Sequence, residues 1–416
     1  LPHGSKPFAQ AYAGHQFGQF TILGDGRAHI VGEQVTPEGE IFDIQYKGSG
    51  RTPYSRGGDG KAALGPMLRE YLISEAMFHL GIPTTRSLAV VETGEKVYRE
   101  VPLKGSILTR VASSHIRIGT FQFLAAHKDY EGMQALLDFS IKRHFRNLKF
   151  SKNVTVEFIQ AVMQKQIKLI VDWMRVGFIH GVMNTDNSTI SGETIDYGPC
   201  AFMDSYDAKT VFSSIDTQGR YSFANQPSII HWNLVRLAES LLPLIDKNEK
   251  KSIEIAQNTL NEFSSLFKNE WLQMMRKKIG IEDPSEEDEE LISNLVNWMQ
   301  NKSPDFTNTF CNLMNYNHAN DEVFDDNDFA TWKKNWQERV NNKEYLKTMA
   351  NTNPVLIPRN YLVEEALNEA ETKGQLNKFN DLNKAISLPY QIEKVNIKYL
   401  TTPSKTNIPY KTFCGT

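Results

Sequence analysis

His180-Gly181-Val182-Met183-Asn184-Thr185-Asp186-Asn187, followed by Asp196-Tyr197-Gly198, is the stretch on which the reading of this chain turns. It is polar and lies among short β-prone segments at 178–180, 189–190 and 194–195. Asn187 and, nine residues on, Asp196 offer the oxygen donors with which a divalent metal ion bridging nucleotide phosphates is held. A single His-Gly or Asp-Tyr-Gly would be ordinary turn chemistry. The pattern gains meaning from what precedes it.

Working outward, Gly24-Asp25-Gly26-Arg27 sits between two β-prone runs, where glycines can turn sharply and let backbone N–H groups approach phosphate oxygens. Lys47 follows at the end of a third run, placed to project beneath that turn. A helix-forming segment comes next and offers Glu70 or Glu75 as the acid that holds the ammonium; helical periodicity alone does not choose between them. Two unit charges about 4 Å apart attract by roughly 4 kcal/mol at an effective dielectric near 20, enough to order a flexible lysine. Glycine turn, Lys, Glu, Asn and Asp in this order match the parts with which kinase-fold enzymes hold a metal-bound nucleotide.

One position breaks that pattern. Small-molecule kinases commonly begin the loop His-Gly-Asp, and here Val182 takes the place of the aspartate base. Valine accepts no proton, and loss of a general base costs a factor of about 10²–10⁴. Asp186, beside Asn187, is the nearest carboxylate able to serve. Arg110 and Arg117 carry guanidinium groups suited to paired phosphate contacts. On local grounds Asp59-Gly60, just before the helix, reads as an N-cap.

The fold expected is α+β, a protein-kinase-like two-lobed arrangement with a helical C-terminal extension. Strands at 20–23, 28–33 and 41–47 form a small antiparallel sheet, and a helix over about 62–80 lays an apolar stripe of Leu64, Met67, Leu68, Tyr71, Leu72 and Phe78 on it. Further strands are expected at 87–92, 96–99 and 107–111, and helices at 133–145, 156–176 and from 227 onward. The divisions read as 1–125 for a nucleotide-binding N-lobe, 126–225 for a C-lobe with the catalytic loop, and 226–416 for a helical region. Acidic 282–290 and Asn/Asp-rich 315–328 read as exposed linkers or insertions.

With 416 residues, 40% of them hydrophobic and 11% aromatic, the chain is globular rather than disordered. A net charge of -3 argues against a wholesale polyanion binder, so nucleic acid is not an expected partner. No apolar run approaches the roughly 20 residues that span a bilayer, and the first ten residues lack a signal-peptide pattern. Cys200, Cys311 and Cys414 are too scattered for a disulfide framework or a four-cysteine zinc site, which fits a reducing compartment. Cys200 and Cys311 read as buried small residues. A cytoplasmic monomer is expected, with sequence missing upstream because no initiator Met opens the chain.

These motifs resemble the selenoprotein O family of protein adenylyltransferases along nearly the whole chain. The likeness is carried by Tyr12–Gly18 (YAGHQFG), Leu23–Arg27 (LGDGR), Lys47–Asp59 (KGSGRTPYSRGGD), Arg69–Arg86 (REYLISEAMFHLGIPTTR), His180–Asn187 (HGVMNTDN), Ile195–Pro199 (IDYGP), Gln218–Phe223 (QGRYSF) and Asn353–Tyr361 (NPVLIPRNY). The resemblance implies a kinase-like fold lacking the usual catalytic Asp, with the nucleotide reversed so that the α-phosphate faces the acceptor and pyrophosphate leaves. The implied activity is AMP transfer from ATP to Ser, Thr or Tyr hydroxyls of other proteins.

By the same resemblance Gly24, Gly26, Arg27, Asp59 and Gly60 contact the nucleotide, and Lys47 binds phosphate and pairs with Glu70. Arg110 and Arg117 complete the phosphate contacts, Asp186 is the proton acceptor, and Asn187 and Asp196 hold Mg2+ or Mn2+. Relatives usually carry some tens of residues ahead of Tyr12, and many have a selenocysteine or cysteine near the C-terminus, here Cys414. Two other functions compete: a γ-phosphoryl-transferring kinase using Asp186, and a non-catalytic pseudokinase scaffold that binds ATP.

Overall fold

The computed structural model describes residues 4–150, 153–316, 322–340, 344–394, 396–402 and 410–412. It mixes α and β structure, with helices predominating. β1 (Ala13–Gln16) and β2 (Gln19–Ile22) form a two-stranded antiparallel hairpin. β3 (Ala28–Val35) and β4 (Ile41–Lys47) then pair antiparallel with Ala28 opposite Lys47. The glycine turn at 24–27 therefore joins two different sheets. The expected strand at 20–23 pairs back on 13–16 instead of on β3, because the Phe17-Gly18 turn, both residues at positive φ, folds it back locally.

β5 (Ala62–Ala63) leads into α1 (Leu64–His79), after which β6 (Arg86–Tyr98) and β7 (Pro102–Ala112) complete a five-stranded sheet. β7 sits beside β4 and also pairs with β5 and β6. α1 packs on β6 and β7. Leu64, Met67, Leu68, Leu72, Ile73, Ala76 and Met77 are buried, each fully covered Leu, Ile or Met side chain contributing about 1.5–3 kcal/mol. Phe78 drops out of the expected stripe: it is 47% exposed, with the Arg86 guanidinium stacked 3.4 Å from its ring centre.

α2 (Ile118–Ala126), α3 (Tyr130–His144) and α4 (Val154–Arg175) follow. The run Ile118-Gly119-Thr120-Phe121 is rich in poor helix formers, so local propensity hides α2, which tertiary contacts stabilise. α4 buries Phe158, Ile159, Val162, Met163, Ile167 and Ile170 at helical spacing, and Asn153 caps it by accepting from the Val156 amide.

β8 (Phe178–Ile179) pairs with β9 (Ala201–Phe202), so the loop quoted at the outset hangs between the two. The strands expected at 189–190 and 194–195 reduce to isolated bridges, Thr189 with Arg117 and Thr194 with Thr84.

The remainder is helical: α5 (Gln226–Ile245), α6 (Glu249–Asn261), α7 (Phe263–Lys278), α8 (Asp288–Lys302), α9 (Phe306–Leu313), α10 (Asn327–Arg339), α11 (Tyr345–Thr352), α12 (Asn360–Lys373) and α13 (Asn377–Ile386). The two acidic or Asn/Asp-rich segments are largely exposed, as expected, in their described residues, but they are not plain linkers. The acidic run supplies the first turn of α8, where carboxylates favour the helix dipole, and Asp288 is fully buried between Arg276 and Arg339, 2.8 Å from each. Of 315–328, the described residues include a 3-10 turn at 322–325 and Asp326, which caps α10. α12 and α13 return to pack on α1, with Tyr71 and Phe379 rings 5.9 Å apart. Cys200 and Cys311 are buried, and burial pushes the Cys311 thiol up to about 12. Cys414 lies outside the described residues.

Candidate active site

A strand beside a core normally turns apolar residues inward. β4 does the reverse, its alternation burying Asp43, Gln45 and Lys47. Arg110 on β7 stands opposite Gln45, so the same face of both strands is polar. Buried polar groups need partners, and these have them. Lys47 Nζ donates to Glu70 Oε2 and to Asp196 Oδ1, 2.7 Å each. Arg110 donates through Nε to Glu70 Oε1 at 2.9 Å, through Nη1 to Gln45 Oε1 at 3.1 Å and through Nη2 to Asp196 Oδ1 at 2.8 Å. Glu70 is thus the acid shared by Lys47 and Arg110, whereas Glu75 forms two 2.7 Å bonds with Arg86 on the other side of α1.

Burial pushes the Glu70 carboxyl upward, and Arg110 and Lys47 more than offset it, holding it below the usual range. The same balance keeps Asp196 ionised. Burial is outweighed by Lys47, Arg110 and Arg117, and a quarter of the side chain still reaches solvent through the cleft. Asp196 adopts a left-handed backbone, φ +62°, a conformation non-glycine residues adopt at a cost where the surroundings impose it. His180 buttresses this turn. It is buried, stacked 5.3 Å from Trp173, with its Nε2 2.8 Å from the Ile195 carbonyl.

Arg117 bonds through both terminal nitrogens to Asp25 Oδ1, at 3.1 and 3.2 Å, and lies 4.3 Å from the Tyr12 ring centre. Asp25, inside the glycine turn, is missing from the residues singled out by sequence. Its signal is the demand of a fully buried guanidinium for an acid, but nothing in the sequence pairs positions 92 apart.

Asp186 lies in a one-turn 3-10 segment, 185–187, and is 7% exposed. The β1–β2 hairpin covers it: His15 N donates to Thr185 Oγ1 at 2.9 Å, and a methyl group on Gly14 would stand 2.6 Å from Asp186 Oδ1. That oxygen has no hydrogen-bond partner among the described residues. Burial raises the carboxyl to about 6, against the pull of Arg117. Val182 faces the same cavity, four residues back, with nothing that can accept a proton.

Asp25, Lys47, Glu70, Arg110, Arg117, Val182, Asp186 and Asp196 line one cavity of about 940 Å3. Gly24, Gly26, Arg27 and Gly60 lie on its wall. Gly24 takes φ +136°, and any side chain there would collide with the Tyr54 ring. Asp59 also lines it, but it caps no helix. Its carboxylate accepts from Lys61 N at 2.9 Å and pairs with Arg99 at 2.9 Å, while α1 begins after Ala63. The opposite wall comes from α12 and the tail, through Glu364, Leu367, Glu371 and Tyr410–Thr412, which sequence reasoning did not associate with the site. Arg69 ties these together, donating to the Cys200 carbonyl at 2.6 Å, to Glu364 at 3.1 Å and to the Tyr410 hydroxyl at 3.3 Å.

Among the described residues no three His, Cys, Asp or Glu side chains converge as a self-contained metal site requires. What the cavity does offer is Asp196 and Asn187. The Asn187 amide nitrogen donates to the Val182 carbonyl at 3.0 Å, leaving its oxygen as the end for a cation. Two hard oxygen donors suit an ion such as Mg2+, which commonly takes one or two protein ligands and completes its shell with phosphates and water.

The profile of the family described as "Protein adenylyltransferase SelO" matches residues 2–387. A protein named "Protein nucleotidyltransferase YdiU" from Nitrosococcus oceani is 53% identical over 421 aligned residues, covering 100% of this chain and 85% of its own length. One of the same name from Bacillus cereus is 55% identical, with 86% of its length covered. At that identity and coverage, the chain belongs to the SelO family of protein adenylyltransferases.

Proposed function

We propose that this enzyme transfers AMP from ATP to Ser, Thr or Tyr hydroxyls of other proteins, within a kinase-like cleft. In this reading residues 1–125 form the nucleotide-binding lobe, 126–225 the lobe with the catalytic loop, and 226–416 a helical buttress. The observation that carries it is the pairing of Val182 with Asp186. The position of a kinase base holds a side chain that cannot accept a proton, and a buried carboxylate raised to about 6 faces the same cavity.

Lys47 and Arg110 supply the phosphate-binding charge, with Arg117 behind them and Glu70 fixing both of the first two. Gly24, Gly26, Arg27, Asp59 and Gly60 line the nucleotide side of the cavity. Asn187 and Asp196 would hold Mg2+ or Mn2+, which supplies charge neutralisation on the phosphates. Asp186 accepts the proton as the acceptor oxygen bonds to the α-phosphorus. The bond from that phosphorus to the bridging oxygen breaks, and pyrophosphate leaves with the electron pair. A carboxylate near pKa 6 is deprotonated at neutral pH yet basic enough to take a proton.

The test uses two labels. ATP labelled at the α-phosphate should mark an acceptor protein or the enzyme, and ATP labelled at the γ-phosphate should not. Covalent γ-label alone would make the enzyme a kinase using Asp186. Metal-dependent nucleotide binding with neither label transferred would make it a scaffold.

A further inference from the structure

Beside the catalytic loop, outside the nucleotide cavity, two half-buried arginines share one face with the rings of Phe17 and Trp232, and Tyr221 is fully buried behind them. Arg220 lies 5.7 Å from the Tyr221 ring centre and 5.1 Å from that of Trp232, and Arg236 lies 4.9 Å from Trp232. Phe17, at the tip of β1–β2, is 38% exposed, with its ring 5.2 Å from Tyr221. The platform is wired to the loop that carries Asp186: the Tyr221 hydroxyl donates to Asn184 Oδ1 at 2.6 Å, and the Phe17 amide reaches the same oxygen at 3.4 Å.

The charge on this face is only partly compensated. Among the described residues Arg220 has no carboxylate within ion-pair distance, and Arg236 has Glu239, a half-exposed neighbour on its own helix, a kind of pair that contributes little. The nearby Asp216 carboxylate is taken up by the backbone amides of Arg220 and Tyr221, at 2.9 and 2.8 Å. Arg220 Nε and Arg236 Nε are both buried without an acceptor. The imidazole of His15, 5.1 Å from Trp232, is lowered first by burial and further by Arg236 and Arg220.

We propose that Arg220 and Arg236, beside the rings of Phe17 and Trp232, dock an acidic segment of the protein substrate and so set which hydroxyls reach Asp186. The occupant is a carboxylate-bearing peptide strand: guanidinium forks match carboxylates bidentately, and the rings accommodate the apolar stems between them. Asn184, to which Tyr221 bonds, and Asp186 are two residues apart on one loop, which sets this face beside the candidate base. This rests on the reading of the enzyme as an AMP transferase acting on protein hydroxyls.

Binding tests it separately from transfer. Two fluorescent peptides share one threonine and differ only in flanking glutamates or glutamines. Their affinities are measured by anisotropy with Mg2+ and a non-hydrolysable ATP analogue. The glutamate peptide should bind about tenfold more tightly to the wild-type enzyme, and the preference should vanish in the R220Q/R236Q double variant. Equal binding of both peptides by the wild type overturns the proposal without needing any variant. An acid preference that survives in R220Q/R236Q, folded by its melting curve, overturns it too. Failure of α-label transfer would count against the AMP-transfer reading while the binding result stands.

Discussion

Asp186 is expensive for the fold, and in the proposed mechanism that expense is what makes it a base. Its carboxyl is raised from 3.8 to about 6, so folding favours the neutral acid. The sign follows: the penalty is absent below about pH 4, grows as pH rises toward 6, and is full above it, at up to about 3 kcal/mol. Asp186→Asn should therefore stabilise the protein by a few kcal/mol in denaturant titrations at pH 7.5 and change little at pH 4. AMP transfer should fall by about 10²–10⁴ in the same variant. In the wild type, kcat/KM should climb with pH through about 6 and then level. A stabilisation over wild type that is the same at both pH values would show that the carboxylate is not desolvated.

At the scale of elements, α1 is held from both sides, and Arg69 is the pin. It links α1 to the segment after the Asp196 turn, to α12 and to Tyr410. Glu70 is its neighbour in sequence, so slack in α1 reaches Lys47 directly. Arg69→Leu should lower stability by about 2–4 kcal/mol and raise KM for ATP about tenfold, read by melting curves and initial rates. Arg86→Leu, which removes a partly exposed pair with Glu75 on the same helix, should leave KM for ATP unchanged.

Elements also show what the chain discloses unaided. Lys47 was readable because it closes a strand ahead of an acidic helix, and Asn187 and Asp196 because loop motifs are contiguous. The choice of Glu70 over Glu75 follows from which side of α1 meets Arg86, a question of rotation that periodicity leaves open. Asp25, α2 and the α12 wall were not readable. Each owes its place to contacts between distant parts of the chain, and the acidic run at 282–290 hides a buried Asp288 behind an exposed-looking composition.

Over the whole molecule, stability and chemistry are sited apart. Asp288, remote in sequence from every cavity residue, is the shared acid of α7 and α10 through Arg276 and Arg339. Asp288→Ala leaves two guanidiniums without their carboxylate and should cost about 3–5 kcal/mol, with kcat per folded molecule unchanged. A loss of kcat at full foldedness would tie this helical region to catalysis. The cavity itself is closed late. Arg69 and Glu364 are separated by 295 positions, and Thr412 bonds to the Pro199 carbonyl at 2.7 Å and the Phe212 carbonyl at 2.8 Å. During synthesis the ribosome releases α1 long before it releases these partners. A nascent polypeptide thus carries its lysine, asparagine and aspartates past the exit tunnel with one wall of the cleft still unmade. Abortive translation products would be born inert, unable to label their neighbours.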